Sequence, residues 1–184
     1  MTVRSATPVR DRDAVRRAAR FMATGVTVIT TVDPAGRPVG ATANAVITLS
    51  LAPPSFLISF GRDSNTLACI RSQKSLAVNV LAAGQSSIAR RFATKALDKF
   101  QGLEVAQGVT GIPILPSSAV IFECHVHEIL DVFDHALVIG IVDNVVFGSG
   151  LFQGPLLYYR GDYYSLPGEQ TEPDLTLFAV WGDW

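Results

Sequence analysis

Alternating apolar and polar positions run through most of the chain and predict that it folds mainly into β-strands. Residues 26–32 are rich in β-branched side chains, and residues 33–36 follow with Asp, Pro and Gly where a type I turn prefers them. A β-hairpin is therefore predicted near the start of the chain. Similar apolar runs predict further strands at residues 55–60, 76–81, 119–131, 136–147, 156–160 and 163–166.

Helical spacing appears in only a few short segments. Residues 15–22 place apolar side chains three or four positions apart with arginines between them. This spacing predicts an amphipathic helix whose apolar stripe packs on the barrel that the strands are expected to form. Its arginines could bind anions, but Asp11 and Asp13 dilute their charge, so a solvated face is the preferred interpretation. Ser64 is a favourable N-cap residue for a second helix, and a third helix opens at residues 84–87.

One stretch combines strand-like alternation with unusually small side chains. Residues 40–52 alternate small and polar residues, carry no charge, have almost no bulk before Val46, and end at Pro53-Pro54. Such a strand cannot fill a core, but it leaves room for a flat ligand whose polar edge can pair with the backbone. The double proline is expected to break the ladder to the next strand.

The order of these elements favours an antiparallel barrel. Hairpin-linked strands with a few short helices, and no repeated β-α-β units, are typical of that class. A dinucleotide-binding Rossmann fold is disfavoured, because the glycine pattern at residues 148–154 has one residue too many and runs into Pro155 instead of a helix.

Composition narrows the choice of function. The chain has 184 residues, enough for one domain, and its 48% hydrophobic and 17% charged content suggests that some surface is buried against a second subunit. A net charge of −1 gives no basic footprint for nucleic acid or an anionic membrane. The absence of a long apolar run or an export signal predicts a cytoplasmic protein, in which Cys69 and Cys124 are buried, reduced thiols.

Few residues have the spacing of a catalytic or metal site. His125 and His127 share one face of a predicted strand and could bind a metal with a third ligand, but ordinary strand histidines are the preferred interpretation. His135, beside Asp134 at a hairpin, can be held in one tautomer and directed at a ligand, or can be a solvated turn residue. Asn79, on an apolar strand, needs a buried partner from the backbone or from a ligand.

Several short motifs follow one another in a recognisable order. They are Asn44-Ala45, Pro53-Pro54, Ser64-Asn65-Thr66, residues 76–81 with Gln85, Arg91-Phe92-Ala93, residues 111–115, Phe122-Glu123-Cys124, Asp134-His135 and residues 156–161. Together, over residues 16–166, they resemble the short-chain flavin reductases, which are the FMN-binding split-barrel reductase components of two-component flavin-dependent monooxygenases.

The resemblance implies a mainly β fold, an antiparallel Greek-key split barrel with a few short helices, which forms a homodimer with a flavin near its interface. The expected activity is an NAD(P)H:flavin oxidoreductase that uses NADH or NADPH to reduce FMN or FAD and supplies reduced flavin to a partner monooxygenase. Residues 1–184 would form one domain, with a core at 16–166 and a C-terminal tail at 167–184. The alternative is a split-barrel protein that binds flavin without turning it over, as a carrier, sensor or accessory subunit.

The resemblance also implies site residues, and no metal. The isoalloxazine and ribityl chain would contact Thr42, Asn44, Ala45, Thr48, Leu49 and Ser50. The phosphate would contact Ser64, Asn65 and Thr66, and the pocket would be completed by Asn79, Leu81 and Gln85. His135 would approach the nicotinamide, although Phe133 stands where the family has the glycine of its Gly-Asp-His turn, so a bulky ring occupies a position that favours positive φ.

Overall fold

The computed structural model describes residues 11–96 and 98–166, and these form a mainly β structure. Its helices are α1 Arg12–Ala19, α2 Asn65–Gln73 and α3 Ser86–Phe92. Its strands are β1 Thr24–Gly25, β2 Thr27–Val32, β3 Pro38–Ala43, β4 Val46–Leu51, β5 Pro54–Gly61, β6 Ser75–Val80, β7 Ala106–Gln107, β8 Pro113–Ile114, β9 Val120–Val132, β10 His135–Phe147, β11 Leu156–Tyr159 and β12 Asp162–Ser165. The predicted tail at 167–184 lies outside the described residues.

A seven-stranded antiparallel sheet carries the fold. Its strand order is β3-β2-β6-β9-β10-β5-β4, so the two edge strands, β3 and β4, are consecutive in the chain and are joined only by Asn44 and Ala45. The sheet must therefore curve until its edges approach each other, and β3 indeed contacts β5. Bulges in the β9–β10 and β4–β5 pairings supply part of this curvature. The predicted antiparallel split-barrel class is confirmed.

The small-residue stretch at residues 40–52 is not one strand, and that prediction was wrong. Asn44 and Ala45 divide it into β3 and β4, which lie at opposite edges of the sheet. The expected break at Pro53-Pro54 was also wrong, because Leu51 pairs with Pro54 around a tight turn that contains a cis Ala52–Pro53 bond. Proline is tolerated there because β4 is an edge strand and β5 begins at Pro54.

The interior is filled from both the sheet and the helices. Ile29, Ile58 and Leu76 on the sheet pack with Leu67 and Ile70 of α2 in one cluster of fully buried side chains. A second cluster joins the sheet to α3 and to the small β1-β11-β12 sheet, through Val28, Leu81, Phe92, Leu115 and Leu156. Cys69 and Cys124 are buried free thiols, as predicted.

Helix α1 differs from its prediction. Asp11 caps it through a 2.9 Å hydrogen bond from the Asp13 N–H. None of its residues is buried, however, and Val15 and, just beyond the helix, Met22 are 50% and 70% exposed. Its apolar stripe therefore does not pack on the barrel within the described chain. No described helix has the length and hydrophobicity to cross a membrane.

The turn between β9 and β10 places a bulky residue in the left-handed backbone conformation. Phe133 adopts a φ of +53° and its ring is 91% exposed. Arg62 donates a 3.0 Å hydrogen bond to the Phe133 carbonyl and so ties this turn to the segment that precedes α2. A glycine would adopt this conformation at lower cost than phenylalanine.

A buried carboxylate anchors the loop before β8. Glu123 on β9 is fully buried and accepts hydrogen bonds from the Thr110 hydroxyl at 2.6 Å, the Thr110 N–H at 2.9 Å and the Asn144 amide at 2.9 Å. Burial acts to raise the pKa of this carboxyl, but the hydrogen bonds outweigh it and hold the pKa below its ordinary value. Gly108 leaves space for the carboxylate, since a Cβ there would collide with it.

Replacing this carboxylate tests its contribution to stability. We expect Glu123→Gln to lower the free energy of unfolding by about 2 kcal/mol at pH 7, because charged hydrogen bonds are lost in a buried site. Since the folded pKa lies below the unfolded value, the carboxylate contributes fully above about pH 4.5 and loses its contribution as the pH falls further. Urea unfolding should therefore show the two proteins converging towards low pH; a constant difference would contradict this assignment.

Candidate functional site

A cavity of about 440 Å³ opens between strand β3, the start of α2 and the segment that follows α3. It is lined by residues 38–42, 63–66, 92–96, 99 and 100. Four of the predicted site residues, Thr42, Ser64, Asn65 and Thr66, are therefore brought together on its wall. They come from two parts of the chain that are separated by the whole of β4 and β5.

Small side chains on β3 leave room for the cavity and for the Phe92 ring on its wall. At Gly40, a Cβ would lie 2.9 Å from the Phe92 ring and 2.9 Å from the Ile29 carbonyl oxygen, so only glycine lets Phe92 pack this closely. Thr42 donates a 2.6 Å hydrogen bond to the Ala89 carbonyl and thereby ties β3 to α3. The Thr42 hydroxyl proton is therefore already engaged by the protein backbone.

The start of α2 gives one wall of the cavity an electropositive character. Ser64 caps the helix by accepting a 3.3 Å hydrogen bond from the Leu67 N–H. The N–H groups of Asn65 and Thr66, in the first turn, have no acceptor within the helix, and the helix dipole adds partial positive charge there. This wall is suited to an anion such as a phosphate.

Lys99 adds a cation to the same cavity, and the sequence analysis missed it. Its ammonium group donates hydrogen bonds to the carbonyls of Gly40 at 3.0 Å and Phe92 at 3.1 Å, which leaves one of its three N–H groups. The side chain is half-buried, and desolvation lowers its pKa. No carboxylate lies within ion-pair distance of Lys99 among residues 11–96 and 98–166. The segment has no periodicity or motif that would have identified it.

The remaining predicted ring contacts lie outside this cavity. Asn44 and Ala45 form the exposed link between β3 and β4, where the Asn44 amide donates a 3.2 Å hydrogen bond to Thr24. Thr48, Leu49 and Ser50 lie on β4 at the other edge of the sheet. They therefore extend from the link along the second edge strand, instead of lining the cavity itself.

Three predicted pocket residues lie in the interior instead of on the cavity wall. The Asn79 amide donates to the Val28 carbonyl at 2.9 Å and accepts from the Leu115 N–H at 2.8 Å. Gln85 accepts from the Ala82 N–H at 2.7 Å and donates to Ser117. Leu81 is fully buried. The sequence correctly required a partner for Asn79, but the protein backbone supplies that partner, so no ligand is needed.

His135 begins β10 and is positioned by its neighbour. Its Nδ1 lies 2.8 Å from Asp134 Oδ1, and this hydrogen bond is the main cause of the lowered pKa of the Asp134 carboxyl. If Nδ1 carries the proton, Nε2 is left to accept a hydrogen bond from a ligand. His135 pairs with Gly61 across the sheet, two residues before Asp63 at the cavity wall.

The metal-binding alternative finds no support in the described part of the chain. His125 lies 2.7 Å from Asp143 and forms an exposed pair with it. Within residues 11–96 and 98–166, no three His, Cys, Asp or Glu side chains are grouped as metal ligands. The cavity and its cationic wall are therefore the strongest candidate site.

The chain is similar to a known protein family over most of its length. The family of flavin reductase like domains matches residues 18–167. A flavin reductase (NADH) from Kitasatospora aureofaciens is 38% identical over 151 residues, which cover 80% of this chain and 78% of that protein. The reductase subunit HsaB of a flavin-dependent monooxygenase from Rhodococcus jostii is 37% identical over 160 residues, which cover 87% of this chain and 78% of that protein. One curated relative from Rhizobium meliloti is longer, and this chain covers 50% of its length.

A solved structure shares the fold. An NADH:FAD oxidoreductase from Streptomyces globisporus, in complex with NAD and FAD fragments, superposes with a TM-score of 0.79 at 29% sequence identity. The superposition covers 93% of this chain and 99% of the other. The similarity therefore extends over nearly the whole length of both proteins.

A pair of asparagine variants separates residues that hold the fold from residues on the cavity wall. We expect Asn79→Ala to lower the free energy of unfolding by about 2–3 kcal/mol, because it leaves buried backbone groups of Val28 and Leu115 without partners. Asn65→Ala, at an exposed position of the cavity wall, is the control and should change stability by less than about 0.5 kcal/mol. Equal losses in chemical unfolding would contradict the distinction.

Proposed function

This chain belongs to the family of flavin reductase like domains, and we propose that it oxidises NADH, reduces FMN or FAD, and supplies the reduced flavin to a separate monooxygenase. The observation that carries the proposal is that the Lys99 ammonium, which has no carboxylate partner among residues 11–96 and 98–166, lines the same cavity as the start of α2 and the small side chains of β3. The choice of NADH is supported by the name of one relative, which is a flavin reductase (NADH). The role of the product is supported by the relative that is a monooxygenase reductase subunit.

The residues of the cavity fit a flavin with a phosphate on its side chain. The N–H groups at the start of α2 and the remaining N–H of Lys99 would hold the phosphate, because both are donors with positive character. The small residues of β3 leave the adjacent space for an uncharged part of the ligand. Within the described part of the chain this half-buried cation has no carboxylate partner, and burying a charge without a counter-charge is costly, which supports a bound phosphate.

The chemistry of the reaction needs little from ionisable side chains. A bound flavin supplies a ring position that accepts hydride directly from a reduced nicotinamide. The protein's contribution is then to hold the phosphate, to leave space for the ligand through the small side chains of β3, and to orient the two rings. The contact of Asp134 with the His135 Nδ1 favours the tautomer protonated at that nitrogen, in which Nε2 would accept a hydrogen bond from the carboxamide of the nicotinamide.

A homodimer would complete the site along β4. Ile47, Leu49 and Leu51 on this edge strand are 58%, 46% and 62% exposed, which makes an apolar surface on a strand whose outer edge has no partner strand within the described residues. Such an edge is a liability unless another surface covers it. A second copy seated on β4 would also bring the ring contacts predicted at Thr48 and Ser50 into an enclosed position.

Turnover measurements test the proposed reaction and the role of His135. Purified protein should oxidise NADH only when FMN or FAD is added, and His135→Ala should raise the KM for NADH while leaving the Kd for flavin nearly unchanged. Flavin binding without NADH oxidation would instead support the carrier alternative. A large loss of flavin affinity in His135→Ala would contradict the role of this residue.

The phosphate assignment has its own test in Lys99→Met. We expect the affinity for FMN to fall about tenfold, equivalent to about 1.4 kcal/mol, because a charged hydrogen bond to the phosphate is lost. Riboflavin, which lacks the phosphate, is the matched control ligand, and its affinity should change little. Fluorescence titration measures both, and a parallel loss for riboflavin would show that Lys99 supports the cavity without binding phosphate.

A further inference from the structure

A second, basic pocket lies at the C-terminal end of α1. Arg17, Arg20 and Arg160, together with Phe21, line a cavity of about 240 Å³. None of these residues lines the cavity that contains Lys99. The pocket therefore lies outside the proposed phosphate site and has a separate set of charges.

The aspartates near α1 neutralise only some of its arginines. Asp11 lies 3.5 Å from Arg17, and Asp13 lies 3.6 Å from Arg16. Within the described ranges, neither Arg20 nor Arg160 has a carboxylate within ion-pair distance. Two unpaired guanidinium groups on one small pocket repel each other, and an anion would relieve that repulsion. The sequence-based expectation of a solvated, diluted arginine face is incomplete for this end of the helix.

The backbone and an aromatic ring fix Arg160 in this position. Arg160 adopts a φ of +53°, and its N–H donates a 2.7 Å hydrogen bond to the Arg20 carbonyl. Its guanidinium group lies 5.1 Å from the centre of the Phe21 ring, which in turn meets Tyr159 edge to face. A guanidinium held on an aromatic ring presents its N–H groups in a plane, which suits bidentate binding of a phosphate. The Phe21 ring, 62% exposed, adds a flat apolar surface of the kind on which a purine base stacks.

Helix α1 connects this pocket to the turn that holds His135. At its N-terminal end, Arg12 lies 3.7 Å from Asp134, the residue that hydrogen-bonds to His135. At its other end, Arg20 follows after eight helical residues, a distance of about 12 Å along the axis. The two positions are separated on the scale of a dinucleotide, whose two nucleotide halves are joined by a diphosphate.

We propose that the basic pocket binds the adenosine diphosphate part of a dinucleotide substrate. Arg20 and Arg160 contact its phosphates, and Phe21 provides the surface beside its base. This inference rests on the proposed function, since the other half of the dinucleotide then reaches the reaction site. The adenosine diphosphate part occurs in two possible substrates: the nicotinamide dinucleotide, which donates hydride, and FAD.

Direct binding of ADP tests the pocket without any turnover. Isothermal titration should show that wild-type protein binds ADP, more weakly as the salt concentration rises. The double variant Arg20→Gln/Arg160→Asn should lose at least about tenfold in affinity through the loss of two charged contacts. Asn at position 160 tolerates the left-handed conformation, so the turn is retained. Arg16→Gln, on the same helix but outside the pocket, is the matched control and should bind ADP like the wild type.

Steady-state kinetics then identifies which dinucleotide uses the pocket. A higher KM for NADH in the double variant, with FMN as acceptor, assigns the pocket to the nicotinamide dinucleotide; a loss of FAD affinity with FMN affinity unchanged assigns it to FAD. ADP affinity that is equal in wild type, double variant and control would overturn the proposal, as would a defect seen only in flavin transfer to a monooxygenase. A wild-type protein that binds ADP but oxidises no NADH would refute the proposed function while leaving the pocket intact.

Discussion

The two-residue link between the edge strands is the constraint on which the structure depends. A seven-stranded sheet is wide, yet Asn44 and Ala45 alone connect β3 at one edge to β4 at the other. The strands between them must therefore curve around a common interior, with help from bulges in β4–β5 and β9–β10. Once the sheet is curved in this way, α2 packs inside it and its first turn lies beside β3.

That arrangement explains why a site can form without a conventional catalytic group. The cavity combines the N–H groups of a capped helix, one half-buried lysine and a strand of small side chains. These features are suited to binding and positioning a phosphate-bearing ligand. A reaction in which both reacting groups belong to bound cofactors needs only such binding and orientation. The buried amides of Asn79 and Gln85 hold backbone segments of the interior in place and do not line this cavity.

Much of the fold could be predicted because strand alternation and capping are local properties. The long strands β9 and β10 and the Ser64 cap follow from neighbouring residues, and the structure has both. The positive φ at Phe133 was expected only from the resemblance to the Gly-Asp-His turn of the family, and the structure has it too. The division of residues 40–52 could not be predicted in this way, since Asn44-Ala45 has neither the glycine nor the proline that usually marks a turn. Lys99 was missed because its importance comes from tertiary contacts with Gly40 and Phe92, which its own segment does not encode.

The proposed function depends on binding of the flavin phosphate in the cavity that the start of α2 shares with Lys99. A crystal structure of the protein with FMN would test this binding mode, because the phosphate position is visible independently of any activity. We expect phosphate oxygens within hydrogen-bonding distance of the Asn65 and Thr66 N–H groups and of the Lys99 ammonium, with the ring extending along β3 towards Asn44. A phosphate bound elsewhere, with this cavity holding only water, would contradict it.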